Sequence, residues 1–188
     1  MDGIYFLSIL TLFANIVTVI GGLVLLFGNV RVIGKVGVIR VFREKLQNLL
    51  EKHVLQIVLL ISVIATSGSL YFSEILGFTP CKLCWYQRIF MYPQVVLILI
   101  AYIKKTNDVF KYILALSIIG LFIAGYHYFL QTFPNPYAPC GDVGYSVSCT
   151  VDFFKYFGYI TIPWMSFSAF VIIFSVSLLM FKNKDTST

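Results

Sequence analysis

Five stretches of mostly apolar residues, 4–28, 54–76, 86–103, 112–130 and 160–181, decide what this chain can fold into. Each is close to or above the roughly 20 residues a helix needs to cross a bilayer. Of the 188 residues, 59% are hydrophobic and 12% charged, against about a quarter charged in an ordinary soluble domain. A water-soluble fold of this size keeps too much surface wet to hide so much apolar area. The expected class is an all-α integral membrane protein. The first stretch does not read as a secretory signal, because Asp2 is the only charge before it and a basic leader is missing. It is read as a retained helix. No internal repeat or low-complexity tract stands out.

Lysine and arginine set the expected orientation. The connection 29–53 carries six (Arg31, Lys35, Arg40, Arg43, Lys45, Lys52), the connection around "KKTNDVFK" three, and the tail Lys182 and Lys184. The two alternate connections hold only Lys82, Arg88 and Lys155. Eleven against three is a positive-inside pattern, with the N-terminus outside and the C-terminus cytoplasmic. The net charge of +6 is then a topology signal and not a nucleic-acid footprint.

All four cysteines fall in the outside connections, Cys81 and Cys84 in one, Cys140 and Cys149 in the other. Two pairs on an oxidising face point to disulfide chemistry. Zinc is the competing reading. The eight residues between Cys140 and Cys149 are unlike a zinc knuckle, and no neighbouring histidine completes one, so no metal is expected.

Within "GFTPCKLCWYQRIFMYP", Thr79 reads as a helix N-cap and Pro80 as the first helical residue. Cys81 and Cys84 would then lie in the first turns, where free N–H groups and the helix dipole favour a thiolate. Arg88 follows Cys84 by one turn and is expected to point back toward it. A fixed cation beside a thiolate at the hydrocarbon edge suits a lipid-soluble two-electron acceptor, and a quinone meets that description. No nucleotide-binding or haem motif competes.

"CKLCWYQRIFMYP", then "YHYFLQTFPNPYAPC", then "C…FGYITIPW" resemble the DsbB disulfide-bond formation proteins, including the short Gram-positive type called BdbC. The likeness runs from about residue 54 to 181. It implies a DsbB-like four-helix transmembrane bundle over 54–183, preceded by an extra transmembrane helix and a basic segment (1–53) and followed by a cytoplasmic tail (184–188). It implies a prokaryotic cytoplasmic membrane. It further implies that Cys81 and Cys84 exchange electrons with a bound quinone, ubiquinone or menaquinone. Cys140 and Cys149 would reoxidise a DsbA/BdbD-like thioredoxin-fold partner, which attacks at Cys140. Cys84, nearest Arg88, would hand the electrons on. Arg88 matches the family's quinone-site arginine, and His127 and Gln131 match residues close to that site. Tyr86 matches a family position, although aromatics at a membrane boundary are expected anyway.

Two departures are visible. Residues 1–53 precede the family core, and "GDVGYSVS" between Cys140 and Cys149 is shorter than in the best-known members. The segment "VDFFKYFGY" after Cys149 could lie along the membrane surface. Segment 38–53 reads either as an amphipathic surface helix or as a helical linker continuous with the next span. Pro93 and Pro163 are expected to bend their helices, and Glu74 to be wetted at the outer boundary. The resulting activity is that of a thiol:quinone oxidoreductase. The alternatives are a vitamin K epoxide reductase-like enzyme, whose C-x-x-C would close the last core span, and a scaffold with two structural disulfides.

Overall fold

The computed structural model describes residues 2–27, 37–133 and 147–185, with side chains described for 3–23, 53–133 and 147–181. The described residues form five α-helices: α1 (Asp2–Phe27), α2 (Gly37–Leu70), α3 (Lys82–Lys104), α4 (Phe110–Thr132) and α5 (Ile162–Asp185). All five are long and apolar enough to span a membrane, as backbone satisfied within a single helix requires there. Among the described residues an isolated bridge, Tyr156 with Ile160, is the only β pairing.

Helices α2 to α5 close a ring in which α2 packs on α3, α3 on α4, α4 on α5, and α5 back on α2. Helix α1 lies outside it against α2 and α5. The buried positions of α4 are Phe110, Ile113, Ser117, Gly120, Ala124, His127 and Leu130. From Phe110 to His127 their alternating three- and four-residue spacing is that of a left-handed bundle seam. Gly120 and Ala124 form a small-residue notch of the kind that lets membrane helices approach closely, and the Phe170 ring of α5 packs against Gly120. Gln94, fully buried on α3, accepts from Ser117 Oγ on α4 at 3.4 Å and donates to the Phe90 carbonyl at 2.9 Å.

Of the two readings for 38–53, the continuous helix is the one found: α2 runs unbroken from Gly37 to Leu70. Its 34 residues, at a rise of about 1.5 Å each, exceed the bilayer core. The expectation for Pro163 needs correction. It sits in the first turn of α5, where its missing N–H breaks no helical bond. Pro93 does lie inside α3, and Glu74 is exposed.

Two local devices shape the outer end. Helix α2 ends in a π turn, Tyr71–Ile75, and Gly77 then takes φ +68° to reverse the chain toward Cys81. Near the start of α5, Tyr156 and Ile160 pair across a turn that includes Phe157 and Gly158, both with positive φ, the pattern of a I′ turn. The part-buried aromatics of 153–156 pack against rings of neighbouring segments beside that turn. Phe153 stacks on Phe78 at 4.6 Å, and Phe154 meets Phe72 at 5.6 Å. Tyr5 of α1 touches Tyr156 at 5.9 Å.

Candidate active site

Helix α3 begins two residues later than Thr79 and Pro80 lead one to expect. Cys81 itself is the N-cap, with extended φ −76° and ψ 173°, and Lys82 is the first helical residue. Thr79 and Pro80 precede the cap. The Cys81 sulfur takes the role usually given to a serine oxygen, accepting the Cys84 backbone N–H at 3.4 Å. This puts an unpaired helix donor directly on sulfur.

Cys81 and Cys84 are free thiols whose sulfurs share a hydrogen bond at 3.2 Å. His127 of α4, 2% exposed, brings Nε2 to 3.5 Å from the Cys81 sulfur. On the other edge of the ring, Nδ1 lies 2.9 Å from the Gln87 amide nitrogen. Cys81 lies one residue before the span that begins at Lys82. With the thiolate on Cys81, the Cys84 thiol donates to it, and this is the main cause that lowers its pKa from 9.0 to about 4. Burial opposes the shift, while the hydrogen bond and charge of His127 and the Cys84 N–H assist it.

This arrangement makes a measurable prediction. In the reduced protein, alkylation of Cys81 by iodoacetamide should hold its rate from pH 8 down to about pH 5. An ordinary thiol with a pKa of 9.0 would be only about a thousandth ionised at pH 6. A midpoint near 9 in the rate profile, read by mass spectrometry of the Cys81 peptide, would refute the assignment.

Cys149 is disulfide-bonded, and Cys140 lies outside the described residues. Cys149, 1% exposed, shares one buried cluster with Cys81, Leu83 and Leu130, and Cys84 packs against it. Gln131 ties the Cys149 loop to α4 by donating from Nε2 to the Val151 carbonyl at 3.0 Å. An open cleft with about 300 Å³ of empty volume runs beside Cys81, Cys84, His127, Gln131 and Thr161, with Phe153 and Phe154 along one side. Gln131 Oε1 and Thr161 Oγ1 are buried and unpartnered among the described residues.

Arg88 lies over the preceding turn, as expected, but its hydrogen bonds go to α2 and not to Cys84. Its Nε donates to Ser69 Oγ at 3.0 Å and its Nη2 to the Ser69 carbonyl at 3.1 Å, while the guanidinium lies 5.1 Å from the Trp85 ring centre. Tyr92 OH joins the same serine at 3.3 Å. A part-buried cation at a membrane edge takes the nearest strong acceptors, and α2 offers them. Tyr86 is 51% exposed and lies on the outward face of α3 with Trp85 and Ile89.

The fold supplies the histidine that the neighbouring sequence lacked. The donor atoms of Cys81, Cys84 and His127 lie within 4.8 Å of one another. The sulfurs, at 3.2 Å, are spaced as a hydrogen-bonded thiol pair, roughly 0.5 Å closer than two thiolates sharing one zinc with bonds of about 2.3 Å. Cys149, held in a disulfide, offers no fourth ligand. Sequence reasoning missed Gln87 and Ser69. A glutamine within a span was the available signal, since an intramembrane polar side chain demands a partner.

A reactive dithiol at a helix start, buried together with a disulfide-bonded cysteine inside a helical bundle, defines a membrane protein of thiol–disulfide exchange. The chain belongs to the DsbB family: the family described as disulfide bond formation protein DsbB matches residues 51–180. It is 48% identical to a probable disulfide formation protein C of Halalkalibacterium halodurans over 128 residues, 66% of this chain and 90% of that one. It is 43% identical to disulfide bond formation protein C of Bacillus subtilis over 127 residues, 66% of this chain and 90% of that one. A third relative, the SPbeta prophage-derived disulfide bond formation protein B of Bacillus subtilis, is 43% identical over 125 residues, 66% and 83% of the two chains. No solved structure matches significantly. The protein is thus a membrane thiol oxidoreductase.

Proposed function

We propose that this chain is a thiol:quinone oxidoreductase that reoxidises a DsbA/BdbD-like thioredoxin-fold partner and so supports disulfide formation in exported proteins. The observation that carries the reading is the single buried cluster holding Cys81 with the disulfide-bonded Cys149, and Cys84 against it. A disulfide-bonded cysteine that close to the dithiol can exchange with it without a diffusing intermediate.

In the proposed sequence, a partner thiolate attacks Cys140 and breaks a Cys140–Cys149 disulfide, releasing Cys149 as a thiolate. Cys149 then attacks the Cys81–Cys84 disulfide at Cys81, and Cys84 leaves as a thiolate. The partner's second thiol resolves the mixed disulfide at Cys140 and leaves the partner oxidised. Cys140, freed as a thiolate, restores its own bond with Cys149, so both electrons now reside on Cys81 and Cys84. The cap N–H and His127 stabilise Cys81 as the outgoing thiolate when its bond to Cys149 breaks.

The residues fit a quinone. Arg88 is a permanent donor one turn below Cys84, beside the exposed apolar surface of Trp85 and Ile89. A quinone, when bound, accepts the two electrons and two protons of the dithiol. The basic asymmetry supports a cytoplasmic membrane location with the N-terminus outside and the cysteines on the extracytoplasmic face. Residues 1–53 would be an addition to the catalytic core of 54–183, in keeping with a cleft lined from Cys81 onward.

The full chain in detergent, given a reduced DsbA-like protein, should reduce ubiquinone or menaquinone at a rate proportional to enzyme. Partner thiols and quinone absorbance should fall together, two thiols per quinone. Thiol loss without quinone loss would refute the acceptor, and loss of neither would refute the activity.

A further inference from the structure

We propose that Gln87 is a positioning residue for the redox step, orienting His127 and selecting which ring nitrogen carries the proton that faces Cys81. The inference rests on Cys81 being a redox thiol as proposed above. Gln87 stands on α3 one turn after Cys84, is 6% exposed, and meets Nδ1 of His127 at 2.9 Å. His127 in turn meets the Cys81 sulfur through Nε2. The line amide–imidazole–sulfur thus joins α3 to α4 and returns to the start of α3.

The chemistry follows from what an amide can do. As placed, the Gln87 NH₂ donates to Nδ1, so the ring proton sits on Nε2 and is offered to a Cys81 thiolate. Rotating the amide by half a turn presents Oε1 instead. Nδ1–H then donates to the amide oxygen, and Nε2 offers a lone pair to a Cys81 thiol. Glutamine therefore supports His127 both as donor to the thiolate and as acceptor from the thiol. A carboxylate at 87 would support only the second arrangement, and an alkyl group neither. Among the described residues, the other titratable group bonded to Cys81 is Cys84, and the nearby cation Arg88 is engaged by Ser69 of α2.

The test uses the reduced full chain in detergent micelles, labelled with ¹⁵N-histidine. The chain has two histidines, and His53→Gln assigns the signals. In the wild type the neutral form of His127 should show a protonated Nε2 and an unprotonated Nδ1. Gln87→Leu should mix the tautomers and move the midpoint of the Cys81 alkylation profile up by about one pH unit, the effect of weakening a hydrogen bond to a charged group. Gln87→Glu should move the proton to Nδ1. If Gln87→Leu does not fold, Gln87→Asn, one methylene short of Nδ1, is read on the same two measurements with the same expectation as for leucine. Unchanged histidine signals and an unchanged alkylation profile in the folded variants would overturn the proposal. Failure of the wild type to reduce quinone, with the tautomer shift intact, would instead count against the function proposed above.

Discussion

Replacing Cys81 with serine is expected to reduce partner-driven electron transfer by about a thousandfold or more, to background, while leaving the bundle folded. The two halves of that expectation have separate causes. Serine is among the best N-cap residues, so its hydroxyl can take over the bond from the Cys84 N–H and α3 should start where it does now. A hydroxyl cannot, however, form or receive a disulfide, and at neutral pH it is a poor nucleophile next to a thiolate. The cap survives and the chemistry does not. Cys84→Ser should be equally inactive for a different reason: Cys81 keeps its cap and His127 but has no sulfur with which to close its disulfide. Its thiolate should then accumulate as a mixed disulfide when an oxidised, disulfide-bearing partner is supplied, the partner's other cysteine leaving as a thiolate. The measurements are partner-thiol oxidation, the melting temperature of both variants, and a non-reducing gel for the trapped species. More than a tenth of wild-type activity in Cys81→Ser, at an unchanged melting temperature, would remove Cys81 from the electron route.

The contrast between Cys81 and Arg88 shows what kind of information a linear reading holds. The C-x-x-C at the opening of a core helix and the five spans depend on local sequence, and both are found in the fold. The cap falls two residues after the threonine that local preference selects. Sulfur is not among the usual capping atoms, although the backbone at Cys81 is as extended as any serine cap. Helical spacing alone aims Arg88 at Cys84, because spacing says what lies on the same face but not what a neighbouring helix offers. The acceptors on Ser69 come from α2, 19 residues earlier.

His127 and Gln87 illustrate a different limit. In a soluble helix the inward face is the apolar one, but lipid accepts an apolar face as readily as a protein core does. The bundle seam is therefore not marked by hydrophobic periodicity. On α3 and α4 it is marked by the exceptions: Gln87, Gln94, Ser117, Gly120 and His127 are all buried. Reading these polar and small residues as the inward stripe recovers the face of each helix that meets its neighbour. It does not identify the pairs, since Gln87 and His127 are 40 residues apart and meet only once α3 and α4 are docked.

Gly120→Ala tests that docking, and the expected result is a loss of about 1–2 kcal/mol in stability. Two effects compete. Alanine is favoured over glycine in a helix by roughly 0.5–1 kcal/mol, so at an open site the substitution stabilises. At Gly120 the added methyl would overlap the Phe170 ring, which is completely buried and cannot swing clear without displacing its neighbours. Overpacking of this kind typically costs about 1–3 kcal/mol, so the clash outweighs the propensity gain. Gly21 of α1 provides the control, because nothing lies within 4 Å of the place an alanine methyl would take there. Gly21→Ala should be neutral or slightly stabilising. Adding Phe170→Leu to Gly120→Ala should recover at least half of the loss, since the smaller side chain vacates the space the methyl needs. Phe170→Leu alone should destabilise by leaving a gap beside Gly120, so the two changes should couple by about 1 kcal/mol or more. His127 lies seven residues along α4, about 10 Å at the helical rise, so a displaced helix should also move the ring away from Cys81. The measurements are melting temperatures of the four variants in one detergent and Cys81 alkylation in each. Additive melting shifts, or a Gly120→Ala variant as stable as Gly21→Ala, would mean that α4 and α5 do not meet through this notch.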